Sequence, residues 1–102
     1  MEDQAETIKL GGNIELIGFR ELDGGSMVIL KKIIGNYVRK LSDNSEKFES
    51  FKLHLKPISQ GSIFEVHGHL VDNGRSFTAE HTDRNLFITV NRVLGKLESS
   101  MN

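Results

Sequence analysis

An Asn73-Gly74 dipeptide between two alternating segments constrains this chain more than any other feature of its sequence. A type I′ turn needs positive φ at both central residues, and Asn-Gly adopts that turn readily. A two-residue turn at this position places Leu70 opposite Phe77 on one face of a β-hairpin, so the polar residues pair on the other face. These polar pairs are His69 with Thr78 and His67 with Glu80.

Two further strands are indicated by their apolar patterns. Residues 14–19 form a short apolar run. Phe51, Leu53 and Leu55 alternate with polar residues, which is the spacing of a strand with one buried face. Pro57 cannot donate a hydrogen bond to a neighbouring strand, and it is expected to end this element.

Two amphipathic helices are indicated by apolar residues at helical spacing. The first covers residues 27–41, after a turn at residues 23–25 and an N-cap at Ser26. The second begins after a cap at Thr82 and Asp83 and carries an apolar stripe through Leu97. The polar side of the first helix carries Lys31, Lys32, Asn36, Arg39 and Lys40.

These elements predict an α+β fold in the order β-α-β-β-β-α. The compact arrangement is a four-stranded mixed sheet with two helices packed on one face, because every element has one apolar side. A right-handed crossover through the first helix makes the first two strands parallel. Residues 13–98 are expected to form this single domain, preceded by a flexible acidic N-terminal segment, residues 1–12, and followed by a frayed tail, residues 99–102.

Composition excludes several classes of protein and site. The 102 residues include no cysteine, which excludes disulfides, cysteine nucleophiles and cysteine-based zinc sites. The net charge of −1 argues against a protein that coats nucleic acid non-specifically, since such binding needs many cations. The acidic N-terminus is unlike a signal peptide, and no apolar run approaches ~18 residues, so a cytoplasmic protein without membrane contact is expected.

Several short motifs, taken in order, resemble the ribosome hibernation-promoting factor family, also called ribosome-associated translation inhibitors. The motifs are Asn13-Ile-Glu-Leu, the cation pairs Lys31-Lys32 and Arg39-Lys40, Phe51-Lys-Leu-His-Leu-Lys, Phe64-Glu-Val-His-Gly-His-Leu, Phe77-Thr-Ala-Glu, Asp83-Arg-Asn-Leu-Phe and Val93-Leu-Gly-Lys-Leu. The resemblance covers residues 13–97 and is closest to an archaeal branch. The fold of this family is also similar to the double-stranded-RNA-binding domain.

The resemblance implies a non-enzymatic factor that binds the small ribosomal subunit, or another structured RNA, and idles translation. The positions that it implies as RNA contacts are Lys31, Lys32, Arg39, Lys40, Arg84, Arg92 and Lys96. The lack of acidic residues between Ser26 and Ser42 favours the first four from charge alone, with an ordinary solvated helix face as the alternative. Arg84 is placed in the first turn of the second helix, where it either holds a phosphate or pairs with Asp83.

The histidines suggest a different chemistry on the open face of the sheet. His54, His67 and His69 share this face with Glu65 and Glu80, and imidazole and carboxylate groups can bind zinc. A flat exposed sheet lacks the pocket and supporting contacts of most metal sites. A polar face with cross-strand pairs, such as His67 with Glu80, is therefore preferred, and no metal or other cofactor is assigned.

Catalysis is not indicated, because the sequence contains neither a phosphate-binding glycine loop nor a nucleophile elbow. The second functional hypothesis is a protein-interaction domain, or a homodimer that pairs through a sheet edge or the open face. The near-neutral net charge favours it. So does the end of the chain after Leu97, which carries no cation, whereas many members of the family have a basic tail.

Overall fold

The helices and strands follow the predicted β-α-β-β-β-α order, with one short strand added before it. The computed structural model describes residues 7–9, 13–19, 22–45, 47–58 and 60–101. The elements are β1 (Thr7–Lys9), β2 (Ile14–Ile17), α1 (Gly24–Asn44), β3 (Phe48–Ile58), β4 (Ile63–Asp72), β5 (Arg75–Asp83) and α2 (Leu86–Met101). The predicted α+β class, with two helices and a mixed sheet, is confirmed.

The strands lie in the sheet in the order β1-β2-β3-β4-β5, which is also their order in the chain. β2 and β3 are parallel, as the crossover predicts, and the other neighbours are antiparallel. β1 is a correction, since residues 7–9 were expected in a flexible segment but pair with β2. A three-residue strand is too short for an alternating pattern to reveal it. Residues 1–6 and 10–12 of that segment lie outside the described residues.

The hairpin of β4 and β5 has the predicted turn and register. Asn73 and Gly74 both have positive φ, 53° and 79°, as a type I′ turn requires. Leu70 is the partner of Phe77, and the polar pairs lie on the other face as expected. β3 differs from the prediction because it continues through Pro57. Among the described residues, β2 pairs with β3 only as far as residue 54, so Pro57 lies beyond this pairing, where a missing N–H group is tolerated.

α1 begins earlier than predicted, because Asp23 rather than Ser26 is its N-cap. The Asp23 carboxylate accepts hydrogen bonds from Ser26 N at 3.0 Å and from Ser26 Oγ at 2.7 Å. Gly24 and Gly25, expected in a turn, therefore form the first turn of the helix. The same two bonds, the side-chain bond first, lower the pKa of Asp23 below its ordinary value of 3.8.

α2 begins later and ends later than predicted. Asn85 caps the helix through its side-chain oxygen, and Asp83 Oδ1 accepts a hydrogen bond from Asn85 N at 3.0 Å. Thr82 and Asp83, the expected caps, therefore belong to β5. The tail that was expected to fray from residue 99 onward is helical through Met101.

One core holds the helices against the sheet. α1 packs on β3, α2 packs on β4 and β5, and the two helices contact each other. The predicted stripes supply the core, and its fully buried side chains include Leu16, Phe19, Leu30, Ile34, Leu41, Phe51, Leu53, Val66, Leu70, Val90, Leu94 and Leu97. Phe48, Phe64, Phe77 and Phe87 pack against this cluster. The polar side chains that alternate with the buried ones along the strands therefore lie on the opposite, open face of the sheet.

Candidate functional site

The exposed side of α1 carries all the RNA contacts predicted for that helix. Lys31, Lys32, Arg39 and Lys40 are exposed, and Lys40 Nζ lies 5.2 Å from the centre of the Tyr37 ring. Residues 24–42 contain no carboxylate. The two cation pairs are separated by two helical turns, about 12 Å along the helix axis. The arrangement is a positive surface on a single rigid element.

Two apolar side chains interrupt this basic surface. Val28 is 58% exposed and Ile29 is 50% exposed. At 100° per residue both project outside the arc that contains the buried Leu30 and Ile34. The sequence contained this signal, since neither residue falls in the predicted apolar stripe, but the pattern of the stripe did not single them out. We call residues 28, 29, 31, 32, 39 and 40 the α1 outer face.

The cations predicted on the second helix lie on another surface. Arg92 and Lys96 line a groove between α2 and β5, together with Thr78 and Ser99. Lys96 Nζ donates a hydrogen bond to the backbone oxygen of Glu80 at 2.7 Å. This ammonium group is therefore engaged with the edge strand of the sheet. Six of the seven predicted RNA-contact residues are therefore divided between the α1 outer face and the α2–β5 groove.

Arg84 is exposed and precedes α2, rather than lying in its first turn, because the helix begins at Leu86. The N–H group of Asn85, the residue after Arg84, donates a hydrogen bond to the carboxylate of Asp83. That hydrogen bond is the largest cause of the lowered pKa of Asp83, whose ordinary value is 3.8. A carboxylate of the chain itself is therefore bound next to Arg84, and both interpretations of Arg84, as a phosphate contact or as a partner of Asp83, stay predictions.

The sheet face turned away from both helices carries the predicted polar residues in rows. In one row, successive cross-strand partners from β2 to β5 are Ile17, His54, His67 and Glu80. In the adjacent row they are Glu15, Lys52, His69 and Thr78. A shallow cavity lies over the histidines of both rows.

His67 lies between two carboxylates. Its Nδ1 is 3.1 Å from Glu80 Oε1, which confirms the predicted cross-strand pair, and its Nε2 contacts Glu65 Oε2. Glu65 shares the open face because it precedes His67 by two residues on β4. One ligand atom from each of these residues lies within 4.8 Å of the other two. The structure thus groups the His67 side chain with both glutamates. The cross-strand register partners of His69 are instead Lys52 and Thr78.

Comparison with known proteins does not assign a family. The chain matches no protein-family model, and a search of curated proteins finds no match. Neither α1 nor α2, the helices of the described residues, combines the length and hydropathy needed to span a bilayer. What the protein does must therefore be inferred from the geometry of its surfaces.

Proposed function

We propose that this protein binds structured RNA, with the small ribosomal subunit as its target, and idles translation without catalysing a reaction. The observation that carries the proposal is the α1 outer face, where exposed cations occur on a helix with no carboxylate from residue 24 to residue 42. A surface of this sign attracts phosphate, and the affinity it supplies decreases with salt. Because the net charge is only −1, this attraction comes from the local arrangement of cations and not from the charge of the whole protein.

The spacing of the cations suits a duplex. Lys31 and Lys32 lie two turns from Arg39 and Lys40, so the helix can contact phosphates on both sides of a groove. Folded RNA is recognised mainly by the shape of its backbone and by contacts to phosphate and 2′-hydroxyl groups. Arg39 can bind a phosphate through two parallel N–H groups, whereas the lysines act as mobile point charges. The resemblance to ribosome hibernation-promoting factors supports the same surface.

The α2–β5 groove supplies at most a secondary contact. Lys96 is already bonded to the Glu80 carbonyl, so moving it to a phosphate breaks a hydrogen bond within the domain. Arg92, which is exposed in the same groove, is the better candidate there. We therefore expect reversal of the charge at Arg92 to weaken RNA binding less than reversal of the charges of the α1 cations.

One observation favours the second function, protein interaction. Val28 is 58% exposed and Ile29 is 50% exposed within the basic surface. Apolar side chains surrounded by cations suit an acidic protein partner with an apolar centre. Phosphate contacts do not require these side chains. The same helix face therefore supports both functions, and the contribution of the apolar pair separates them.

The proposal is tested by co-sedimentation of the protein with small ribosomal subunits from its source organism at low and moderate salt. The variant Lys31→Glu/Lys32→Glu reverses two charges of the α1 outer face. The matched control, Lys52→Glu/Lys56→Glu, makes the same change in net charge on exposed positions of β3, on the open face. Both variants should fold, because none of these four side chains is buried.

We expect wild-type protein and the β3 control to sediment with the subunit at low salt and to dissociate as salt increases. The α1 variant should stay in the supernatant. Contact with four phosphates gives a slope of log K against log salt of about −3 to −4. Wild-type protein that fails to bind at low salt, or an α1 variant that binds as wild type does, would contradict the proposal.

A further inference from the structure

The open face of the sheet contains a group of side chains that the proposed RNA contact does not use. Glu65 and His67 on β4 and Glu80 on β5 converge there, with one ligand atom of each within 4.8 Å of the others. The helices lie on the other side of the sheet. Any ligand held by this group would therefore be bound independently of the α1 outer face.

In its neutral form, the His67 ring cannot donate a hydrogen bond to both of the carboxylates that it faces. Both ring nitrogens face carboxylate oxygens, Nδ1 towards Glu80 at 3.1 Å and Nε2 towards Glu65. A neutral imidazole has one N–H group and one lone pair. Only one carboxylate can then accept a hydrogen bond, and the other faces the lone pair. A second proton or a metal ion at that nitrogen removes the repulsion.

A metal ion fits this pattern because the imidazole and both carboxylates each have a usual role in metal sites. Histidines that bind a metal through one nitrogen commonly donate the other N–H group to a carboxylate, which fixes the ring. The 3.1 Å separation of Nδ1 and Glu80 Oε1 is an ordinary hydrogen-bond length. Glu80 therefore suits the supporting role, which leaves His67 Nε2 and a Glu65 oxygen as the ligand atoms.

The candidate for a third protein ligand lies on the neighbouring strand. His54 is the direct partner of His67 in the β3–β4 register, and the Cβ atoms of such a pair are about 4.5–5.5 Å apart. The His54 imidazole already has an interaction of its own, and metal binding would replace that interaction through a change of side-chain rotamer. The side chains of His67 and Glu65 are 35% and 29% exposed, so water can supply the remaining ligand.

We propose that His67, Glu65 and His54 bind a divalent transition-metal ion on the open sheet face, with Glu80 as the positioning residue for His67. Two imidazoles and one carboxylate favour Zn²⁺ over Mg²⁺ and Ca²⁺, which prefer sites made of oxygen ligands alone. Of these four residues, β3 contributes His54, β4 contributes Glu65 and His67, and β5 contributes Glu80. A bound ion would therefore join β3 to β4 directly, and β5 would be held through Glu80, on the face that no described helix covers.

The test is isothermal titration of the full chain, purified without a polyhistidine tag, with Zn²⁺ and separately with Mg²⁺. Wild-type protein should bind one equivalent of Zn²⁺ and no Mg²⁺. His67→Gln and Glu65→Gln should weaken Zn²⁺ binding at least tenfold, and Glu80→Gln about tenfold, as expected when a supporting carboxylate is lost. His69→Gln is the matched control, because it removes a histidine from the same strand and face outside the group, and its affinity should equal that of wild type.

The proposal is overturned if wild-type protein does not bind Zn²⁺, or if His69→Gln weakens binding as much as His67→Gln. It is also overturned if nitrogen NMR shows both nitrogens of the His67 ring protonated in the presence of Zn²⁺, since a proton would then occupy the metal position. Thermal melts without metal show which variants are folded. If His67→Gln is not folded, Glu80→Gln keeps the test intact, because the Glu80 side chain is 70% exposed.

Discussion

Gly68 on β4 lies so close to Val93 on α2 that a Cβ atom at position 68 would come 2.7 Å from Val93 Cγ1. The same atom would lie 3.0 Å from Leu97 Cδ1 and 3.3 Å from Leu53 Cδ2. A glycine within a strand commonly marks such a close approach. The contact fixes the height at which α2 rests on the sheet, and with it the width of the core.

Replacement of Gly68 by alanine should therefore destabilise the protein. Overpacking of a filled core typically costs about 1–3 kcal/mol, because side chains and backbone must shift. The control is Gly95→Ala in α2, where a Cβ atom would meet nothing within 4 Å, and where alanine should stabilise the helix by about 1 kcal/mol. Urea denaturation measures both. Equal stability of the Gly68→Ala variant and wild type would mean that α2 can move away from β4 without cost.

Asp72 should contribute to the stability of the fold through one hydrogen bond rather than through its charge. Its buried side chain accepts a hydrogen bond from Lys47 N at 2.8 Å, which ties the segment before β3 to the end of β4. Asp72→Ala leaves that N–H group without its acceptor, at a cost of about 1–3 kcal/mol. Asp72→Asn retains an oxygen at the same position and should cost less. Chemical denaturation that ranks the two variants equally would assign the effect to the charge.

The pKa of Asp23 should depend on Ser26. The Ser26 side chain is the largest cause of the lowered pKa, so Ser26→Ala should raise the pKa of Asp23 towards 3.8 and leave the pKa of Asp83 unchanged. A carboxyl group whose pKa is lower in the folded state stabilises the fold above its unfolded pKa, and this contribution is lost as pH falls through the folded pKa. Carbon NMR titration of the two carboxyl groups measures both values. An unchanged Asp23 titration in the variant would show that the cap does not depend on the hydroxyl group.

The exposed apolar pair of α1 separates the two functional proposals. Val28→Ser/Ile29→Ser should change the free energy of unfolding by no more than about 0.5 kcal/mol, as is usual for exposed positions. If the outer face binds RNA through phosphates, this variant should co-sediment with small ribosomal subunits as wild type does, whereas Lys31→Glu/Lys32→Glu should not. The opposite ranking of the two variants would favour a protein partner. Circular dichroism melts confirm that both variants remain helical.

The sequence predicted those parts of the fold that short-range chemistry determines. The Asn73-Gly74 turn fixes the register of its hairpin, because the turn admits one pairing, and the pair of His67 with Glu80 follows from it. Helix boundaries were less predictable, since Asp23 and Ser26 are both good N-caps and only the folded backbone selects between them. β1 could not be predicted, because its pairing with β2 is long-range information that three residues do not encode.

The candidate sites were predictable to different extents for a similar reason. Helical spacing is sufficient to place the α1 cations on one side of the helix. It does not show that Lys96 bonds to the Glu80 carbonyl, since that contact depends on how α2 lies against β5. The pairing of Glu80 with His67 was predicted from register, but the contact of Glu65 with the second nitrogen of the ring depends on side-chain rotamers, which the sequence does not specify.

The order of the strands, in which every neighbour in the sheet is also a neighbour in the chain, has a consequence for how the protein assembles and opens. β3, β4 and β5 are joined by short connections, so they can pair while the chain between them is still local, which favours rapid folding. β2 reaches β3 only after the 21 residues of α1 have been placed. Amide hydrogens of β2 should therefore exchange with solvent faster than those of β4. The N-terminal edge can then loosen in a fluctuation that leaves the three-strand unit and α2 intact.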